Sequence, residues 1–531
     1  MARKAQRWNP ERSLSKQEEG ILRLCKKHKL YSFFRMHRHE ILDEEVQERL
    51  LETYSSGGHG DAPIPPAQLA LAMLMQAAFG EPDHEVPTLT AVDRRWQMVL
   101  GCLDREKPLF CQGTVYNFRM RAIVHELAPM LVDKTVELAR QTRSYSSKKL
   151  RVAFDSSPLS GAARVEDTFN LIGHAASEVV RTAAKRLDKS PEDVAQQAGI
   201  PLLNASSLKC GLDLDWDQPD ARAHGLKTLL SQVDALHQWL KSELSAVLDH
   251  PPMKEQWETI ERIIEQDTEP DPEGGGGRRI TQGTARDRQI SITDPEMRHG
   301  RKTRSQTIKG FKRHIALDLE IPGLICATKV TAANIRDYEV VECLLDRLES
   351  QDATVVEAHV DRAYVDSPEL IERRKGGLAV ITKPHPLGSR HDVLTKAEFR
   401  FNFSKKTITC PAGVVGRFKL GSAMEFPAEK CDCCELRPRC TKRETGRGRS
   451  VFVNRNEKFQ NHLRRQSKTP TGRAERRERV KVEHGLARIK HIQGDRARFK
   501  GIDKNDFDLA CRAVVNNCYL LGRLWEMRKA A

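Results

Sequence analysis

The residues of this chain best suited to chemistry begin with one acid among many bases. Between Glu475 and Gly501 the sequence reads ERRERVKVEHGLARIKHIQGDRARFKG. Laid on a helix, Val482, Leu486 and Ile489 make a short apolar stripe. On a neighbouring face Arg476, Arg479, Glu483 and Lys490 fall at −7, −4, 0 and +7 around a single carboxylate. An ordinary ion-pair face mixes signs more evenly at i,i+4. Two readings fit: bases that hold phosphates around an acid that holds a metal, or a solvated basic surface helix. The first needs companion carboxylates, because Mg2+ takes hard oxygen ligands and keeps several waters. Asp155 follows the β-rich run KKLRVAF, and Asp361 closes TVVEAHVD. Each is expected at a strand end, where the backbone is rigid and the side chain exposed; the competing reading for a lone Asp there is a turn residue.

A second constellation is made of sulfur. The stretch CPAGVVGRFKLGSAMEFPAEKCDCCELRPRC carries Cys410, Cys431, Cys433, Cys434 and Cys440. This pattern fits a tetrahedral thiolate site for Zn2+, with Cys410, Cys431, Cys434 and Cys440 as the ligands. Cys433, adjacent to Cys434, is the spare thiol. Four thiolates leave no open position, so the expected ion is structural. The alternative is a set of unliganded cysteines in a basic loop.

These side chains need elements to position them. Residues from about Lys16 to Gln141 have helical periodicity. Within them Pro65-Pro66 opens an Ala/Leu/Met helix that Gly80 closes, helices are expected over Leu89 to Leu103 and from Thr114 onward, and Pro129 marks a break. The member bearing Tyr116, Phe118, Arg119 and Arg121 suits either a helix-turn-helix-like DNA reader or a packing and dimerisation domain. The first strand is expected over Lys148 to Phe154, ahead of the turn-formers SSPLSGA. From about Asp167 to Glu265 the pattern is helical again, and it leaves through the Pro- and Gly-rich linker TEPDPEGGGG. Gly274 to Gly277 lack the Lys-Ser/Thr partner and preceding strand of a phosphate loop. RQISIT and the basic loop DPEMRHGRKTRSQT lead into strands KGFKRHIALDLE and LICATKVTAA, a helix from Asp337 to Ser350, the strand ending at Asp361, the helix SPELIERRK and the strand LAVITKP. Counted from KKLRVAF, the order is strand, strand, strand, helix, strand, helix, strand. That is the order of a ribonuclease H-like mixed α/β sheet with flanking helices. Glu357 and His359 share a strand face with Asp361 by period-2 alternation and fit a polar sheet rim better than a metal role.

Composition bounds the partners. The 531 residues exceed one ordinary core, and 39% hydrophobic content is adequate for several domains. The net charge of +15 points to a polyanionic partner, and 19 Lys and Arg residues lie between Lys442 and Lys500. No apolar run approaches the roughly 20 residues needed to span a bilayer. The opening residues lack the apolar segment of a secretory signal. Thirteen Cys residues, many scattered singly, suit a reducing cytoplasm.

Taken together, VAFDSSP, HGRKTRSQTIKGFKRHIALD, HVDRAY and the C-terminal Glu block resemble bacterial insertion-sequence transposases of the DDE type. The family pattern Tyr-x2-Arg-x3-Glu-x6-Lys is matched by Arg479, Glu483 and Lys490, with Arg476 at the Tyr position. The Cys block resembles a zinc-like insertion found in one branch of that family. The resemblance implies a transposase that cuts transposon ends and joins them to target DNA by in-line attack on phosphodiesters. Asp155, Asp361 and Glu483 would be catalytic and would hold two Mg2+ ions, replaceable by Mn2+, about 3.5–4 Å apart. Arg479, Lys490 and Arg476 would contact DNA. The implied partners are double-stranded DNA and a second copy of the chain, with no membrane, in the bacterial cytoplasm at the nucleoid. The alternatives are a catalytically silent DNA-binding derivative and a nuclease that only hydrolyses. The expected organisation is a helical DNA-binding or dimerisation domain over 1–145, the first catalytic strand over 146–160, a helical insertion with its Gly-rich linker over 161–287, a catalytic core over 288–398, the Cys-rich insertion over 399–455 and C-terminal catalytic helices over 456–531.

Overall fold

The computed structural model describes residues 4–54, 62–143, 148–205, 207–272, 277–302, 305–387 and 393–530. Eight helices come first: α1 to α8 span Lys16–Leu24, Lys29–Ile41, Glu44–Glu52, Pro66–Phe79, Glu85–Val92, Arg94–Leu100, Gln112–Val124 and Leu127–Thr142. Local chemistry sets their ends. Ser15 and Glu18 form a capping box on α1, and Gly80 ends α4 at φ 77°, a conformation that suits a residue without Cβ. Two expected helices are divided: Asp93 caps α6 by accepting from Arg95 N, and α8 restarts at Leu127 with Pro129 in its first turn, where a missing N–H costs nothing.

The sheet that follows is mixed. Strand β1 (Lys149–Ser160) pairs antiparallel with β5 (Thr307–Asp318), and β6 (Ile325–Ala332) pairs antiparallel with β5. On the other edge of β1 lies β7 (Thr354–His359), parallel, and then β8 (Ala379–Ile381), also parallel. Helices α15 (Val341–Glu349) and α16 (Pro368–Lys375) make the crossovers. Three antiparallel strands continued by two parallel ones, with helices against them, fit a ribonuclease H-like α/β fold. Two details differ from the sequence expectation. The basic stretch before β5 is not wholly loop, because Arg298–Arg301 (β4) pairs with the start of β5. Strand β1 also does not stop at Phe154; it stays paired with β5 as far as Ser160, and the ladder holds its turn-forming residues extended.

Between β1 and β4 the chain builds a separate helical unit. Its helices α9 to α14 span Thr168–Leu187, Pro191–Gln197, Leu208–Leu212, Pro219–Glu243, Ser245–Leu248 and Met253–Asp267, and the hairpin β2–β3 (Thr268–Pro270 and Arg278–Ile280) closes it. It has its own apolar core, which includes Leu171, Val179, Leu229, Leu236 and Ile260. Gly274, Gly275 and Gly276 of the linker lie outside the described residues.

After β8 comes the Cys-rich unit. It holds a small sheet β9–β11 (Arg400–Asn402, Thr407–Thr409, Val415–Arg417), a hairpin β12–β13 (Ser422–Glu425 and Ser450–Val453), and two short helices, α17 (Ala428–Asp432) and α18 (Arg437–Cys440). A third core of Phe399, Ile408, Phe418, Phe426, Val451 and Val453 supports it. Helices α19 (Glu457–Gln466), α20 (Pro470–Arg477), α21 (Val480–Gln493) and α22 (Ile502–Ala530) complete the chain. Helix α22 packs against α4 and α8 on one side and β6 on the other. One continuous core therefore joins the N-terminal helices, the sheet and α22. No helix among the described residues is long and apolar enough to cross a membrane.

Candidate active site

The cleft of interest opens where β1 outruns its parallel neighbour. The β1–β7 ladder ends at Ala153 opposite His359, so the next turn of β1 has a partner only on the β5 side. Asp155 lies just past that point, in mid-strand rather than at a strand end. Asp361 lies two residues beyond β7, where its side chain accepts from Arg362 N at 2.7 Å and caps a short turn through Tyr364.

Helix α21 brings the third acid. Its apolar stripe, Val482, Leu486 and Ile489, is buried against the sheet as the periodicity predicts. Gly485 allows the close approach: a Cβ there would lie 2.9 Å from Leu317 Cδ1 and 3.2 Å from Ile315 Cδ1 on β5. Paired residues of a ladder share a face, so Asp155 points to the same side as its partner Ile315, the side that α21 covers. Glu483, in the first turn of α21, overhangs that side.

Asp155, Asp361, Glu483, Arg479 and Lys490 together line one open cleft of about 800 Å3. Arg479 is its electrostatic hinge: Nη1 donates to Asp155 Oδ2 at 2.9 Å, and Nη2 pairs with Glu483 Oε1. Burial pushes the Asp155 carboxyl above the usual range, Arg479 draws it down, and the nearby charge of Asp361 adds to the rise. Lys490 pairs with Asp495 at 3.0 Å and is 56% exposed, leaving its ammonium open to an incoming anion. Arg476 does not join this group. The chain breaks between α20 and α21, and Arg476 turns back to donate to Ser467 O at 3.3 Å. Its −7 spacing assumed one unbroken helix.

Several cleft residues carried no signal as isolated letters. Arg301, Lys302, Arg336 and Arg362 add exposed cations at its rim, and Asp337 and Lys312 form a half-buried ion pair at 2.9 Å in its wall. Glu357 and His359 lie elsewhere: Glu357 Oε1 accepts from His359 Nε2 at 2.6 Å and from Arg151 Nη2 at 2.7 Å. Of the aromatic, basic helix α7, Phe118 is buried and Arg119 makes a two-pronged ion pair with Asp83, both distances 2.6 Å. Arg121 stacks over Tyr54 at 3.9 Å, while Tyr116 is exposed.

In the Cys-rich unit, Cys410, Cys431, Cys434 and Cys440 line one small cavity of about 30 Å3 beneath Phe426. Burial pushes the Cys440 thiol up, Arg449 draws it down, and the neighbouring thiols add to the rise. Cys433 lies outside that cavity, its Sγ donating to Glu429 O at 2.8 Å. As the side chains stand, no three His, Cys, Asp or Glu residues among those described form a group that could hold a metal ion. In the cleft, two of the three carboxylates are instead joined through Arg479.

Curated proteins and solved structures yield no match to this chain. Residues 409–521, which run from the Cys-rich unit through Glu483 into α22, match the family model described as "Transposase DDE domain".

Proposed function

We propose that the chain is a DDE transposase that cuts double-stranded DNA at transposon ends and joins the ends to target DNA. One observation carries the reading: three carboxylates from distant parts of the chain line the same cleft as Arg479 and Lys490, and the transposase match spans α21 and its cap, which bear three of these five residues. Asp155, Asp361 and Glu483 would hold Mg2+ or Mn2+, for which hard carboxylate oxygens are the right donors. When bound, a pair of such ions supplies activation of the attacking oxygen and charge relief at the leaving one. The chain's own part is to bind and orient. Arg479, paired with Asp155 and Glu483 in the empty cleft, has a planar fork that would suit a phosphate. Lys490 neutralises a second phosphate as a point charge, and the rim cations continue the track along the backbone. Handling two ends at once suits a pair of chains.

The four thiols of the Cys-rich unit form a donor set suited to structural Zn2+. Lys430, Arg437 and Arg449 also line that cavity, and loading would release the thiol protons. This site would stabilise a unit with a small apolar core and take no part in the chemistry.

The test uses full-length protein, Mg2+ or Mn2+, and the DNA that flanks the coding sequence. Cleavage at inverted repeats followed by strand transfer is the expected outcome. Asp155→Ala, Asp361→Ala or Glu483→Ala should each lower the rate by at least about a thousandfold, as befits loss of a metal-holding group. Binding without cleavage by the unaltered chain would favour a silent DNA-binding protein. Cleavage without joining would favour a nuclease.

A further inference from the structure

On the strand face opposite Asp155, and reaching the cleft wall through Ser156, Lys312 and Asp337, lies a polar cluster centred on Tyr364. Tyr364 is three residues after Asp361, and its side chain is fully buried. Its hydroxyl stands 3.3 Å from His314 Nδ1 on β5. Ser156 follows Asp155 directly and pairs with His314 across the ladder, so both point away from α21. The cluster extends outward from there. Ser156 Oγ donates to Asp337 Oδ2 at 3.0 Å, Lys312 Nζ donates to Asp337 Oδ1 at 2.9 Å, and His314 Nε2 meets Thr331 Oγ1 on β6 at 3.0 Å. The Tyr364 ring also lies against Phe154, on the other side of Asp155, with centroids 6.5 Å apart.

We propose that Tyr364 is a positioning residue: its hydroxyl ties the turn that carries Asp361 to β5, the strand paired with β1, and so fixes the separation of Asp361 from Asp155. The need for such a tie follows from the topology. Asp361 has left the β7 ladder, and Asp155 has no strand beside it on that edge, so the sheet's hydrogen bonds alone do not hold the two acids in register. The phenol supplies the missing cross-link from the opposite face. A buried hydroxyl bonded to a ring nitrogen on another strand has a defined place, because moving it leaves polar groups unsatisfied in the core. The functional consequence rests on the transposase reading, in which both acids act on one phosphate; the positional tie itself does not.

The test is Tyr364→Phe in the full-length chain, which keeps the ring and removes only the hydroxyl. Amide hydrogen exchange reports the tie and Mn2+ binding reports its consequence. Exchange across residues 361–366 should speed up by about tenfold or more, the size of one net hydrogen bond, while β5 and β6 stay protected. Mn2+ affinity should fall by a similar factor, while affinity for duplex DNA and the melting temperature change little. His314→Gln should reproduce the local loosening, and the double variant should be no looser than either single one, since both remove the same link. Unchanged exchange at 361–366, or a rise spread evenly over the sheet, would overturn the proposal and leave Tyr364 as core filling. If the unaltered chain binds Mn2+ no better than Asp155→Asn, the transposase reading loses its metal, while the exchange data still decide the role of Tyr364.

Discussion

Two regions of this molecule offer clustered ligands, and they are built in opposite ways. In the cleft, three hard carboxylates come from a mid-sheet strand, a turn after another strand, and a C-terminal helix, all leaning on the largest apolar core. In the Cys-rich unit, four soft thiols come from one short stretch and share a core of a few side chains. The cleft is held together whether or not a cation enters, because Arg479 already bridges Asp155 and Glu483. The thiol cavity is lined by the cations Lys430, Arg437 and Arg449 instead, and Arg449 donates to the Cys440 backbone oxygen at 2.6 Å. The comparison teaches that an acid set can stay open and only partly neutralised when a large fold positions it. The thiol set rests on a core of only a few side chains.

The largest expected effect follows from that contrast. Replacing Cys431 and Cys434 by Ser should strip bound zinc and unfold the stretch 399–455 locally, because metal binding is then folding free energy. Hydrogen exchange in that stretch should rise by orders of magnitude, while β1, β5 and β7 keep their protection. Elemental analysis that finds no zinc in chelator-free protein, with no change in exchange, would place the two regions on the same footing.

A second effect probes the scaffold of the cleft. Gly485→Val would drive methyl groups into Leu317 and Ile315, where a Cβ alone is already at 2.9 and 3.2 Å. The cost should be about 1–3 kcal/mol of stability. DNA cleavage should fall far more than stability does, because α21 lifts from the sheet and carries Glu483 with it. Wild-type cleavage in this variant would mean that the position of α21 does not set the site.

These elements also show what the sequence alone could reveal. The grouping of Cys410, Cys431, Cys434 and Cys440 around one cavity was legible because they lie close together in sequence. The α21 stripe was legible because helical burial repeats at 3.6 residues, and Val482, Leu486 and Ile489 are buried as that repeat requires. The far end of β1 was not legible. Ser156, Ser157 and Pro158 favour turns, and only the long partner β5 keeps them extended. Arg476 was assigned to the face of Glu483 through a helix that in fact breaks before Arg479. Tyr364 and His314 had no local signature, since a buried hydrogen bond between distant residues leaves no periodicity to read.

A smaller effect separates the cations of the cleft from those outside it. Removing a cation that neutralises one phosphate should lower the slope of log K against log salt by about 0.9. Lys490→Ala, and Arg479→Ala measured with metal present, should show that decrease with end DNA. Arg476→Ala, outside the cleft, should show less, and Lys16→Glu none, because exposed charges beyond a Debye length are screened. Equal slopes in all of these proteins would make α21 an ordinary basic surface.

The smallest effect concerns the stability of the empty cleft. Burial raises the Asp155 carboxyl above its unfolded-state value despite Arg479, so the charged form is disfavoured in the folded chain. Between the unfolded and folded pKa values the native state binds more protons, and stability falls as pH rises through that window. Asp155→Asn removes this penalty while keeping the shape. The variant should therefore melt about 1–2 °C higher than the unaltered chain at neutral pH in metal-free buffer. The gain should shrink at acidic pH, as the native carboxyl takes up its proton. Melting curves of both proteins at neutral and acidic pH are sufficient. A neutral-pH melting point lower in Asp155→Asn would show that the Arg479 pair outweighs burial, and the acid would then be a net structural asset rather than a charge held ready for a cation.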